Sequence, residues 1–247
     1  MKKIKVSLVS LVSLGSLKYP VDIAYLEGWK SSLVSIHHGA SVGHLPNVDG
    51  AEWERTNTQL RNLLHVDPDA DFTLGIINSP LEDNYYMRRL GDKVAVLSLF
   101  EMAEIVRLSD FTIENFILRN IYELVVLYAA NSALIPAEAH SWTHDDVRGC
   151  LFDMNANKSD IVFSLDRPKL CDECTARVKS KQTSSGFLST LVAELARIHK
   201  ARYYRISEWV KKHPLWAVLL TSLSAVGLNI IASIIFEKAK FYFSWIA

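Results

Sequence analysis

Three cysteines carry the clearest chemistry in the sequence. Cys171-Asp172-Glu173-Cys174 is a C-x2-C knuckle, and Cys150 stands 21 residues before it. Two thiolates at that spacing suit two corners of a tetrahedral metal, and a structural zinc is held by four such ligands. Cys150, Cys171 and Cys174 supply three, and His144, Asp153 and His140 are the nearby candidates for the fourth. The alternative is a set of reduced, partly buried thiols without metal. The knuckle follows Pro168-Lys169-Leu170 rather than opening a helix after a strand, which argues against a thioredoxin-type redox pair. An odd, small number of cysteines argues against a disulfide-stapled secreted domain.

Other constellations are less specific. His140 and His144 are four apart, in a segment that reads as a loop or a helix start. Arg88 and Arg89, close to Tyr85, offer bidentate donors beside an aromatic face. Such a set can hold the phosphate and base of a ligand, or be an amphipathic surface stretch. His37-His38-Gly39 reads as a solvated loop. There is no P-loop, G-x-G-x-x-G or G-x-S-x-G motif in the 247 residues. With 27 basic and 27 acidic residues, the chain has no basic excess with which to hold bulk nucleic acid.

The elements that must position these residues alternate between strand and helix. IKVSLVSLVS reads as a strand, as do DFTLGIIN and KVAVLSL, the last entered through a Gly91-Asp92 turn. Residues 21–39 fit either a strand or a short amphipathic helix. Residues 50–66, with Trp53, Leu60, Leu63 and Leu64 on one side, read as a helix. The strongest helix runs from Thr112 to Ala130, where Ile113, Phe116, Ile117, Ile121, Leu124 and Leu127 keep the 3.6-residue period. Asp110 or Thr112 can cap its start. The expected fold is a mixed α/β domain over 1–183, followed by a helical stalk at 187–213. Ser184-Ser185-Gly186 is the expected hinge between them.

A mean hydropathy of +0.11 traces to one segment. Residues 214–236, PLWAVLLTSLSAVGLNIIASIIF, are uncharged. A helix of that length is about 34 Å long and crosses a hydrocarbon core of about 30 Å. Lys200, Arg202, Arg205, Lys211 and Lys212 precede it; Lys238 and Lys240, with Glu237, follow in the short tail 237–247. The more basic flank stays in the cytoplasm, so the α/β domain is expected there. Lys2, Lys3 and Lys5 precede an apolar stretch, but Ser7, Ser10, Ser13 and Ser16 interrupt it; a signal peptide is the competing reading and would invert the topology. Ser222, Asn229 and Ser233 fall along one line of the spanning helix. Such a stripe serves a helix–helix contact or, in several copies, lines a pore.

Three segments in order resemble the archaemetzincins, a family of metzincin-type zinc peptidases. They are LGIINSPLEDNYYMRRLGDKVAVLSL, the helix around Asn120-Ile121-Tyr122-Glu123-Leu124, and Gly149-Cys150 followed by the C-x2-C knuckle. The resemblance implies a metallopeptidase-like fold over residues 70–178 and a structural zinc held by the cysteines. It also implies that the catalytic H-E-x-x-H, whose histidines hold zinc while the Glu polarises water, falls on Tyr122-Glu123-Leu124-Val125-Val126. Both histidines are missing there. The family pattern further expects a cysteine about five residues after Cys150, where Asn155 stands.

The expectation is therefore a non-enzymatic, homo-oligomeric membrane effector in a bacterial inner membrane. A cytosolic pseudo-peptidase domain would sense a ligand, such as a small nucleotide signal bound through Arg88, Arg89 and Tyr85. It would gate or assemble a pore from the C-terminal helices, with Ser222, Asn229 and Ser233 at the contact. The layout is similar to that of membrane effectors in bacterial anti-phage signalling. The alternatives are a tail-anchored zinc metallopeptidase working through Glu123, His140 and His144, and a membrane-tethered scaffold without a pore.

Overall fold

The computed structural model describes residues 5–137, 142–181, 183–184 and 186–244, the side chains of 241–244 excepted. The chain divides into two compact units, Met1–Lys200 and Ala201–Ala247.

The first unit is built on a five-stranded sheet. Its strands are β1 (Ser7–Leu14), β2 (Val34–His38), β3 (Phe72–Ile77), β4 (Met87–Gly91) and β5 (Val94–Ser98), in the order β2-β1-β3-β5-β4. All pairings are parallel except β4 with β5. A parallel sheet is covered on both faces, and alternate residues here go to opposite cores. Val9, Leu11, Leu74, Ile76, Ala95 and Leu97 enter the larger one, whereas Val12, Leu14, Ile77, Val94 and Val96 enter the smaller. Gly75 in β3 keeps the second layer close: a Cβ there would sit 2.7 Å from Leu64 Cδ2 and 3.0 Å from Leu14 Cδ1.

Helices α1 (Ile23–Glu27) and α2 (Asn57–Leu63) connect the first three strands. Residues 21–39 thus hold both readings that the sequence allows, a short helix and then a strand. The helix expected over 50–66 is shorter: Thr56 caps it through Gln59 N, and Asp49 in turn accepts from the Thr56 hydroxyl and N–H. Trp53 lies outside it, 81% exposed and at positive φ. Strand β4 has no counterpart in the sequence reading, because Met87-Arg88-Arg89-Leu90 shows no apolar alternation.

After β5 come α3 (Met102–Leu108) and α4 (Ile113–Ala130). Thr112 caps α4 through Asn115 N. Only Glu114 and Ala129 of this helix escape burial, so α4 is the axis of the larger core. Helix α5 (Asp172–Ser180) follows the metal-binding loops, and α6 (Phe187–Leu195) closes the unit.

The continuous helical stalk expected over 187–213 is divided. Phe187, Leu191, Leu195 and Ile198 are buried in the larger core. Glu194 accepts from Ser31 Oγ (2.5 Å), Ser32 N (2.6 Å) and Tyr122 OH (2.7 Å). The chain leaves α6 because Arg167 N and Asn115 Nδ2 take the carbonyls of Ile198 (2.7 Å) and His199 (3.0 Å). The second unit holds α7 (Arg202–Lys212) and α8 (Pro214–Ser244). Residues Pro214–Lys240 of α8 are long and apolar enough to cross a membrane, and none of that stretch is buried within the chain.

If α6 belongs to the domain, Leu195→Ala lowers its stability by about 2–5 kcal/mol, as a filled core position does. Chemical denaturation of the full chain in detergent measures this; a stalk residue would leave the midpoint in place.

Candidate metal centre

Four side chains converge beside the loop whose Leu151 carbonyl accepts from Arg119 of α4. The ligand atoms of His144, Cys150, Cys171 and Cys174 all lie within 4.8 Å of one another. Zinc–sulfur bonds of about 2.3 Å in a tetrahedron place sulfurs a little under 4 Å apart, so the donor set and its spacing fit one zinc ion. All three cysteines are free thiols. The cluster is compatible with zinc through Cys150, Cys171 and Cys174, with His144 placed to supply the fourth donor.

Local backbone pairing holds these groups. His144 and Asp153 form an isolated bridge, with His144 N donating to Phe152 O (3.2 Å) and Met154 N to His144 O (3.0 Å). Cys150 is bridged to Lys169 in the same way. Gly149 makes the turn before Cys150 at φ +69°, and a Cβ there would meet Phe163 O at 3.0 Å. Cys171 is the N-cap residue of α5, and Cys174 sits in its first turn. The knuckle therefore does open a helix, contrary to the sequence reading. What separates it from a redox pair is the third thiol and the imidazole beside it.

Asp153 takes the second position behind the imidazole. Its Oδ1 is 3.1 Å from His144 Nδ1, and its Oδ2 accepts from the N–H of Cys150 (2.9 Å) and Arg148 (3.0 Å). This leaves His144 Nε2 toward the sulfurs, 3.5 Å from Cys171 Sγ. The hydrogen bond at His144 Nδ1 goes to the Asp146 carbonyl (3.3 Å), with the Asp153 carboxylate alongside it; an acceptor at the far nitrogen is the usual support of a metal-bound histidine. Burial raises the Asp153 carboxyl above its ordinary value.

The thiols share their protons unequally. Cys150 is held low, at about 4, by the Cys174 thiol and by the N–H groups of Phe152 and Cys171. Cys174 is pushed up by its hydrogen bond to Cys150. Arg148 Nη1 lies 3.8 Å from Cys171 Sγ and pairs with Glu173, while Nη2 donates to Asp146. A zinc with three thiolates carries one net negative charge, and this guanidinium offsets it. Asn155, where the family pattern expects a cysteine, is buried; its amide nitrogen donates to Tyr86 OH (3.2 Å) and Asp153 O (2.9 Å).

Glu123 lies elsewhere. It is buried on α4, with Oε2 2.5 Å from Arg119 Nη1 and Oε1 3.2 Å from Arg89 Nη1. Both oxygens are engaged by guanidinium groups. Arg119 is wholly buried and also donates to the Leu151 carbonyl, Asn120 Oδ1 and Ser164 Oγ. His144 belongs to the cysteine cluster, so the structure does not bring it to Glu123, and His140 lies outside the described residues. The constellation Glu123–His140–His144 thus has no common centre among the described residues.

Arg88, Arg89 and Tyr85 do share a hollow of about 450 Å³ beside β4, with Arg61, Met87 and Met154. Arg88 stacks on the Tyr85 ring at 4.5 Å and donates to Asp83 and Glu82 O. On α8, the Ser222 and Ser233 hydroxyls donate to Val218 O and Asn229 O one turn back, both at 2.9 Å. The Asn229 carboxamide has no hydrogen-bond partner among the described residues.

No protein-family model and no curated protein matches this sequence. Two solved structures are similar in fold. One is the archaemetzincin of Methanopyrus kandleri, with a TM-score of 0.45 and 13% identity, covering 71% of this chain and 95% of that one. The other is the archaemetzincin of Archaeoglobus fulgidus complexed with malonate, with a TM-score of 0.40 and 15% identity, covering 69% and 99%.

The cluster predicts one zinc per purified chain by elemental analysis, absent from Cys150→Ser. Asp153→Asn keeps the ligands but weakens zinc by about 10–100-fold in a chelator competition. Retention of full affinity would remove Asp153 from the site. Glu123→Gln strands two guanidinium groups and lowers domain stability by about 3–5 kcal/mol; an unchanged denaturation midpoint would show that the ion pair is dispensable.

Proposed function

We propose that the chain is a non-catalytic membrane effector. Its α/β domain, with a structural zinc and a metallopeptidase-like fold, stands in the cytoplasm of a bacterial cell and responds to a ligand. Its C-terminal helices associate in the membrane and gate or form a pore.

The observation that carries this reading is α8. A 27-residue apolar helix with nothing buried needs lipid or other helices around it. Asn229 lies near the middle of that stretch, and its carboxamide finds no partner among the described residues. In hydrocarbon an unmatched amide draws a second helix, typically by about 1–2 kcal/mol per contact. Association of copies supplies that partner. The basic residues Arg202, Arg205, Lys211 and Lys212 before the span, against Lys238 and Lys240 with Glu237 after it, support a cytoplasmic domain.

The non-catalytic part of the proposal rests on Glu123. A general base for water needs a free carboxylate oxygen within hydrogen-bond reach of it. Arg119 and Arg89 occupy both oxygens. The ligand we propose is anionic, a small nucleotide signal being the best fit to the arginine-lined hollow beside β4. The layout of a sensing domain followed by one membrane helix supports a role in anti-phage defence. A ligand opens such a device only by binding the open state more tightly than the closed one.

Mass measurement in mild detergent and single-channel recording on the same sample test this. A defined oligomer that conducts is expected, and Asn229→Leu alters its conductance or weakens assembly by about 5–30-fold. A non-conducting monomer would overturn the pore, and hydrolysis of peptide substrates by the intact chain would overturn the non-catalytic assignment.

A further inference from the structure

Helix α7 has a surface that nothing in its own unit covers. No residue of Arg202–Lys212 is buried. At 100° per residue Tyr203, Ile206, Trp209 and Val210 share an arc of about 120°. Tyr203 is 75% and Ile206 63% exposed. Arg205, Lys211 and Lys212 take the rest of the circumference with Tyr204, Ser207 and Glu208, the helix's sole acid. Arg202, in the first turn, falls inside the apolar arc, between Trp209 and Ile206. An isolated helix of 11 residues is marginal in water, so this one needs a surface that takes apolar side chains and cations together.

Its position identifies that surface. Only His213 separates Lys212 from Pro214, where α8 begins. Two residue steps span at most about 7 Å, inside the screening length of about 8 Å at physiological salt. If α8 crosses a bilayer, the end of α7 is held at headgroup level.

We infer that α7 is an interfacial helix that binds anionic phospholipid. It lies along the cytoplasmic leaflet with Ile206, Trp209 and Val210 at the acyl boundary. Arg202, Arg205, Ile206 and Trp209 line a shallow groove of about 430 Å³. A lipid phosphate fits between the two guanidinium groups, with its chains against Ile206 and the Trp209 ring. An aromatic and an aliphatic face bordered by arginines is the composition that such helices use. The inference rests on the membrane reading of α8 but not on a pore.

Hydrogen–deuterium exchange on the full chain tests it in nanodiscs of phosphatidylcholine alone or mixed with phosphatidylglycerol. Each basic side chain gains on the order of fivefold at an anionic surface. Exchange of the 202–212 amides is therefore expected to slow by about tenfold or more with phosphatidylglycerol. The double variant Arg202→Gln/Arg205→Gln loses that gain, while its 214–240 amides stay protected. Equal exchange in both lipids, with 214–240 protected, overturns the lipid site and leaves the membrane reading intact. Equal protection in lipid-free detergent also overturns it, assigning the face to a second copy of the chain. Free exchange at 214–240 in every nanodisc overturns the membrane reading itself.

Discussion

A guanidinium cannot be left bare in a protein interior, and Arg119 is wholly buried. The cost of desolvating it is met only by complete hydrogen bonding and a counter-charge. Glu123, one turn along α4, supplies the charge; the Leu151 carbonyl, Asn120 and Ser164 supply acceptors. Those partners come from different parts of the fold. Leu151 follows Cys150 in the metal-binding loop, Ser164 lies in the following turn, and Glu123 reaches Arg89 on the edge strand. One buried cation thus ties the sheet edge, the central helix and the zinc loop together. The same pairing engages both carboxylate oxygens of Glu123. The residue that the archaemetzincin resemblance offers as a catalyst is an acceptor that keeps Arg119 satisfied.

This arrangement explains which parts of the structure can be read from sequence. The helix at Thr112–Ala130 is legible because an apolar period of 3.6 and a threonine cap coincide. Strands β1, β3 and β5 are legible as apolar runs with β-branched residues. Strand β4 is not, since Arg88 and Arg89 sit where an edge strand meets a polar hollow and its apolar signal is gone. The break between α6 and α7 has no Gly or Pro to announce it. Residues 196–201 leave the helix because tertiary donors, Arg167 N and Asn115 Nδ2, claim carbonyls that a continuing helix would have used.

The metal centre shows the same division. The C-x2-C spacing and Cys150 are local signals, and all three thiols meet. The choice among His144, Asp153 and His140 is not local. It is made by the bridge that pairs His144 with Asp153 and sets the carboxylate behind the imidazole, where its Oδ2 accepts from the N–H groups of Arg148 and Cys150. A sequence lists both residues as ligands of similar merit; only the loop geometry sorts them into a ligand and the group behind it.

The apolar helix α8 inverts the logic of the domain. Inside the domain Asn115, Arg119, Tyr122, Glu123 and Tyr128 of α4 each reach a partner on another element, and Asn120 alone is answered within the helix. On α8 the answer is intrahelical wherever the side chain is short. Thr221, Ser222, Ser224 and Ser233 each donate to a carbonyl three or four residues back. A hydroxyl satisfied in this way asks little of a neighbouring helix, so the polar stripe seen in sequence is energetically uneven. Asn229 cannot close the same loop with both its amide donors and its oxygen. The stripe therefore reduces to one residue that demands a partner, flanked by serines small enough to let the partner approach. That makes association a stronger consequence of the sequence than pore lining: an amide pairs with an amide across a dry contact as readily as it faces water.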